Sequence, residues 1–355
     1  MHQDDEGGEY VLRDRLRVCD EAYGSLDERT LDCMDVLGSL MQDQGKLAEA
    51  ETLFRECLAG RRTAFGIKHR DTLSSMNNLA SLFQDQGNLV DAELLMREAL
   101  DTLHATLGPQ HPSTLASMGN LANIMNDLGN FCEAEALYRE VLDGRLATVG
   151  SQHPSTLTSM SNLGVFMKER GKLGEAEPLL RNALEVRRIT LGPEHPETLI
   201  SMNNLGGLLL IQGKLGEAEP LSCETLEASR SILGSQHPST LTCMGNLAML
   251  LVAQGKLVQA EAICREALEA ERATLGPLHG NTLSSASNLG QLLEKQGKLG
   301  EAEALLREAL AGMYSILGCL HPSTRNTLAA LLRVLTAQGK AREARELKAQ
   351  YGGGK

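Results

Sequence analysis

Seven histidines stand at one fixed spacing: His69, His111, His153, His195, His237, His279 and His321, each 42 residues after the last. Imidazole serves as a metal ligand and as a general base, so such a row invites both chemistries. Metal binding fails on geometry, because zinc ligands must converge within about 2.0–2.3 Å of one ion. Histidines one period apart occupy separate loops, and a role at helix starts accounts for them. The recurring Gln-Gly-Lys resembles a phosphate loop only superficially, since no G-x-x-x-x-G-K-[S/T] occurs and its glycine is explained by helix termination. The carboxylates of the repeated Glu-Ala-Glu read as solvated charges at a helix start, favoured by the helix dipole. Neither G-x-S-x-G nor H-E-x-x-H is present. Eight cysteines (Cys19, Cys33, Cys57, Cys132, Cys223, Cys243, Cys264, Cys319) form no C-x-x-C pair, and the start MHQDDEGGEY lacks an apolar signal core. Reduced cysteines used as small packing residues and a cytoplasmic location are expected. No catalytic residue, metal site or cofactor is expected.

A different chemistry recurs at Asn78, Asn120, Asn162, Asn204, Asn246 and Asn288. Asparagine presents both a donor and an acceptor, matching the peptide unit of an extended ligand without reading its side chains. It is also a middling helix former with no propensity reason to recur. Its neighbours on the same helix face vary. Copies two and three are polar and acidic (Ser74, Ser81, Asp85; Asn123, Asn126, Asp127), whereas copies five and six are apolar (Ile200, Leu210, Ile211; Met249, Val252, Ala253). An exposed apolar patch marks a partner site, so these residues are the candidates for side-chain selection. The alternatives are that the asparagines bond only to the neighbouring helix, and that the patch is covered by the curl of the array or by a terminal segment.

These residues are positioned by a unit of 42 residues, exemplified by Leu191–Leu233. Gly213 has counterparts at Gly45, Gly87, Gly129, Gly171, Gly255, Gly297 and Gly339, with no slip in spacing. Such a period is the signature of a solenoid whose copies bury their apolar faces by stacking. Within the fifth copy, Leu199, Met202, Leu205, Gly206 and Leu209 recur at helical spacing and predict an amphipathic first helix. His-Pro, replaced by His-Arg at His69 and His-Gly at His279, followed by a capping residue marks its start: Asp71, Ser113, Ser155, Glu197, Ser239, Asn281 and Ser323 are the expected caps. Gly213 marks its stop. The second helix runs from about Leu215 to Leu233 and buries Leu215, Ala218, Leu221, Thr225 and Leu226, with Pro178 and Pro220 placed in the first turns of their helices. The boundaries follow: an N-terminal half-repeat helix over 1–24, the tandem array over 25–339, and a capping helix with a frayed GGGK tail over 340–355.

The motif Leu121-Ala122, Met125, Ala134, Tyr138 and the repeated LG-x-x-HP-x-T, NNLA and QGK-x-x-EAE-x-L resemble the tetratricopeptide repeat, in the 42-residue form of kinesin light chains and their nephrocystin-like relatives. The resemblance covers residues 9–350. It implies an all-α, right-handed superhelical solenoid of helix-turn-helix repeats whose first helices line a concave groove, where the asparagine column clamps a peptide backbone. Kinesin light chains also carry an N-terminal coiled coil, and no sustained heptads occur here. The resemblance therefore implies a non-catalytic adaptor or scaffold that binds a protein or extended peptide, in a possible larger assembly. A regulatory fragment of a larger signalling protein is the alternative. An enzyme such as a hydrolase is the alternative of another class, and the non-repeating cluster it would need does not stand out.

Composition agrees. Aromatics are 3% and Trp is absent, so Leu, Ala and Met must pack the core, which suits helices. The formal net charge of −12 repels phosphate backbones and anionic lipid, so neither nucleic acid nor membrane is an expected partner. Only Lys168 and Lys295 offer positive charge on the predicted face, which disfavours strongly acidic cargo.

Overall fold

The computed structural model describes residues 2–351, with side chains from Gly8 to Tyr351; Met1 and the GGGK expected to fray lie outside the described residues. Every described element is an α-helix. The chain divides into two compact units, Met1–Phe166 and Met167–Lys355. The first holds α1 (His2–Tyr23), α2 (Glu28–Asp43), α3 (Leu47–Phe65), α4 (Arg70–Asp85), α5 (Leu89–Leu107), α6 (Pro112–Asp127), α7 (Phe131–Thr148) and most of α8 (Pro154–Glu169), within which the division falls. The second holds α9 (Leu173–Leu191), α10 (Pro196–Ile211), α11 (Leu215–Leu233), α12 (Pro238–Ala253), α13 (Leu257–Thr274), α14 (Gly280–Lys295), α15 (Leu299–Leu317), α16 (Pro322–Ala337) and α17 (Ala341–Tyr351). Within each unit a second helix packs on its own first helix and on the first helix of the next copy, as α3 does on α2 and α4, and α13 on α12 and α14.

The helix starts correct one expectation. His195 itself is the N-cap of α10, with extended backbone, and its Nδ1 accepts the Glu197 N–H at 3.2 Å while Pro196 occupies the first helical position. His69, His111, His237, His279 and His321 do the same, and His153 accepts from the Ser155 N–H. Asp71, Ser113, Ser155, Glu197, Ser239, Asn281 and Ser323 are therefore donors of the capped N–H, two residues inside the cap. The cap satisfies an N–H that has no partner in the first turn. Thr72, Thr114 and Thr156 complete the loop by donating to the carbonyls of Gly66, Gly108 and Gly150. At the far end of α10, Gly213 takes φ +73°, and Lys214 N–H reaches the Leu209 carbonyl at 2.9 Å, the six-to-one bond of a Schellman stop. Gly234, at φ 86° and ψ 161°, occupies a region open essentially to glycine alone.

Packing follows the columns. Met76, Met118, Met160, Met202 and Met244 are buried, and Met34 is half-buried. Ala50, Ala92, Ala134, Ala176, Ala218, Ala260 and Ala302 are all 0% exposed, the condition for close helix approach. A second correction concerns Pro178 and Pro220, which stand at the sixth residue of α9 and α11, past the first turn. Each removes the N–H that would reach the residue four back, Gly174 or Gly216. At the C-terminal end, α17 buries no residue.

Candidate functional site

The charged motifs resolve into a lattice between copies. Glu177 on α9 accepts from Lys214 Nζ at 2.8 Å, Gln212 Nε2 at 2.9 Å and Arg181 Nε at 2.9 Å. Lys214, then Gln212 and Arg181, hold its carboxyl down to about 2. Glu51 accepts from Gln86 and Arg55, Glu219 from Gln254 and Lys256, and Glu303 from Lys340 and Arg307. In five copies the acidic residue at the first Glu-Ala-Glu position takes an arginine of the preceding copy: Arg13–Glu49, Arg97–Glu133, Arg181–Glu217, Arg265–Glu301 and Arg307–Glu343. The second carboxylates, such as Glu177 and Glu303, are thus largely covered ion-pair nodes, while the first, such as Glu217 and Glu301, remain more than half exposed in the first helical turn, as solvated charges do. The row breaks at one place, where Cys223 takes the arginine position and Gln259, 36 residues on, takes that of its carboxylate partner.

The asparagine column divides. Asn78 Nδ2 donates to Asp35 Oδ1 at 3.0 Å and Asn246 Nδ2 to Asn203 Oδ1 at 2.7 Å, each across to the preceding first helix. Asn120, Asn162 and Asn288 are exposed and Asn204 is half-buried. The acidic residues of the first unit are engaged as well: Asp85 accepts from Gln42 and Asp127 from Gln84, while Asp32 and Asp35 hold the buried Arg61.

In the second unit a cavity of about 230 Å³ opens between α12, α13 and α14. Leu241, Met244, Ala248 and Leu292 form its apolar floor, Met249 and Val252 one wall, and Asn288, Gln291 and Lys295 a polar edge. Met249 is 55% exposed. The predicted Ile200 and Ile211 stand exposed on α10 and Leu210 is half-buried; none of the three lines this cavity. A packing column on the second helices contributes to it: Phe54, Met96, Tyr138, Leu180 and Leu306 fill that position in five copies and are buried, whereas the fifth copy has Ser222 and the sixth Cys264. In the sixth copy Cys264 lines the open volume together with Gly245 of α12. Size variation within this second-helix column was the signal in the sequence, and Cys264 and Gln291 went unread with it. Among the described residues no cluster of three or more metal-ligating side chains occurs, and no helix is long and apolar enough to cross a membrane.

Helical hairpins in tandem, joined by repeating side-chain bonds and presenting variable residues on their first helices, define a repeat scaffold. The tetratricopeptide repeat profile matches residues 30–105, 71–147, 115–180, 155–231, 206–262 and 245–315, and the chain belongs to the tetratricopeptide repeat family. Its copies are of the kinesin light chain-like type: a Podosopora anserina protein, described as a kinesin light chain with nearly identical repeats, is 30% identical over 58% of this chain and 98% of its own, with a TM-score of 0.51. Two more distant structures share the fold. The apo quorum sensor NprR from B. thuringiensis is 13% identical, covers 98% of both chains and has a TM-score of 0.65. The Rap conjugation gene regulator of plasmid pLS20, solved in complex with a Phr peptide, is 14% identical over 81% of this chain and 74% of its own, with a TM-score of 0.59. No curated protein matches the chain. The repeat fold is in general a non-catalytic binding scaffold.

Proposed function

We propose that this protein is a cytoplasmic adaptor whose first-helix faces hold an extended peptide segment of a partner protein. Within it, residues 1–24 act as a half-repeat cap, 25–339 as the array and 340–355 as the C-terminal cap. The cavity beside Met249 and Val252 carries the reading, because it joins an apolar floor to a polar edge, the composition of a ligand site. Asn288 at that edge, with Asn120, Asn162 and Asn204, supplies amides for the ligand backbone, while Asn78 and Asn246 instead brace neighbouring helices. Ile200, Leu210 and Ile211 extend the apolar surface on α10. The engaged acidic side chains of the first unit, with Lys168 and Lys295 as the cations of the face, favour a partner that is not strongly acidic. The peptide in the Rap regulator complex supports the same use of the fold.

The test begins with a random peptide library panned on the full-length protein, followed by titration of an enriched peptide. Met249→Glu should weaken binding at least tenfold, and Cys264→Leu should also weaken it while raising the melting temperature by filling the cavity. Affinity unchanged in both variants would overturn this placement of the site.

A further inference from the structure

The two most N-terminal cysteines meet across helices. Cys19 lies on α1 and Cys33 on α2, with their Sγ atoms 3.8 Å apart. Cys33 is buried and Cys19 half-buried. The meeting is built into the repeat, because these positions, 14 residues apart, are in register with a contact that the later copies also make. Arg61 donates to Ser75 Oγ at 2.7 Å, Arg145 to Ser159 Oγ at 2.8 Å and Arg187 to Ser201 Oγ at 2.7 Å. Ser229 Oγ meets Cys243 Sγ at 3.7 Å, and Thr327 Oγ1 donates to Met313 Sδ at 3.3 Å. Register alone therefore brings these side chains together, whatever their chemistry, and only in the first does it join two thiols.

We infer that Cys19 and Cys33 form a reversible dithiol–disulfide site that fastens the half-repeat helix α1 to the first full copy. Sulfur atoms in van der Waals contact need only side-chain rotation and a small shift to close to the bond length of about 2.05 Å. Cys19 is the more accessible sulfur, and burial raises the Cys33 thiol above its ordinary value, so the attack begins at Cys19. With glutathione disulfide as oxidant, the Cys19 thiolate displaces one glutathione thiolate and forms a mixed disulfide. Cys33, on losing its proton, then attacks the Cys19 sulfur and expels the second glutathione. Two protein thiols are oxidised, one glutathione disulfide is reduced to two thiols, and both protons go to solvent or the leaving thiolates. Exposed apolar residues remain on α1, among them Tyr10 at 74%, Val11 at 62% and Val18 at 47%. A cross-link there restrains a helix that packs on α2.

The test is oxidation of the full chain with glutathione disulfide, trypsin digestion without reductant, and mass spectrometry. Cleavage after Arg17, Arg29 and Lys46 separates the two cysteines, so the expected product joins residues 18–29 to residues 30–46 and is lost on adding dithiothreitol. The Cys33→Ser variant should instead retain glutathione on Cys19, and the oxidised wild type should melt higher than this variant. Glutathione on the exposed Cys132 together with no 18–29/30–46 product would overturn the proposal, because the oxidant would then have acted and the pair would have failed to close.

Discussion

Residue by residue, the repeat supplies a set of near-identical environments in which a single odd side chain can be weighed. Glu271 is the clearest case. It is 7% exposed and occupies the register that Arg61, Arg145 and Arg187 fill in earlier copies and Met313 in the last. Burial raises its carboxyl above the ordinary value, opposed by the Ser285 hydroxyl and His279, and Oε2 has no hydrogen-bond partner among the described residues. For a carboxyl raised in the folded state, the native protein binds more protons than the unfolded chain between the two values. Its stability contribution therefore falls as pH rises through that window and is lowest above it. Glu271→Met should stabilise the protein at neutral pH by roughly 1–3 kcal/mol in denaturant unfolding, the cost of an unsatisfied buried polar group. The advantage should shrink toward pH 4.5, and a gain independent of pH would contradict the assignment. At this scale the sequence was only partly legible. The histidines were rightly placed at helix starts, but ordinary capping preferences pointed to the residues two places inside. The partners of Asn78 and Asn246 lie 43 residues back, on another helix, where a reading of one copy does not look.

Between elements, the lattice converts sequence distance into contact. Second helices are tied by arginine to a carboxylate 36 residues on, and lysine to one 37 residues back, as in Arg265–Glu301 and Lys298–Glu261. Exposed pairs of this kind are individually weak, roughly 0.2–1 kcal/mol, so their value lies in repetition. Cys223 and Gln259 remove both partners at one step, which spares α13 an uncompensated carboxylate and leaves the α11–α13 tie missing from the row. Restoring the pair with Cys223→Arg and Gln259→Glu should slow amide exchange in α11 and α13 more than either single change does. Equal effects of the single and double changes would show that the two positions do not meet. The helices themselves were readable because their periodicity, glycine stops and Met and Ala columns are local patterns. The lattice was less so, since Gln-Gly-Lys and Glu-Ala-Glu draw their meaning from each other across copies. The cavity was less legible for a related reason: Cys264, which lines it, lies on a second helix, away from the first helices that carry the asparagine column.

For the molecule as a whole, identity of fold and identity of ligand separate cleanly. Leu, Met, Ala and Gly columns fix a tetratricopeptide repeat chain in each compact unit, while the residues that could choose a partner are those that leave the columns. Because nearly every tie between copies spans about one period, a whole copy is an interchangeable part. Excising residues 88–129 joins Gly87 to Asn130 and deletes one period of 42 residues, which moves Glu133 into the register position, 36 residues after Arg55, that Asp91 had occupied. That shortened chain should keep its helicity per residue and a cooperative melt, whereas removing 40 residues from the same place should cost both. If both deletions melt alike, the bonds between copies do not set the register. The consequence reaches the gene: in-frame unequal exchange between aligned copies would yield foldable proteins with longer or shorter arrays, so copy number can change in one event without the core being rebuilt.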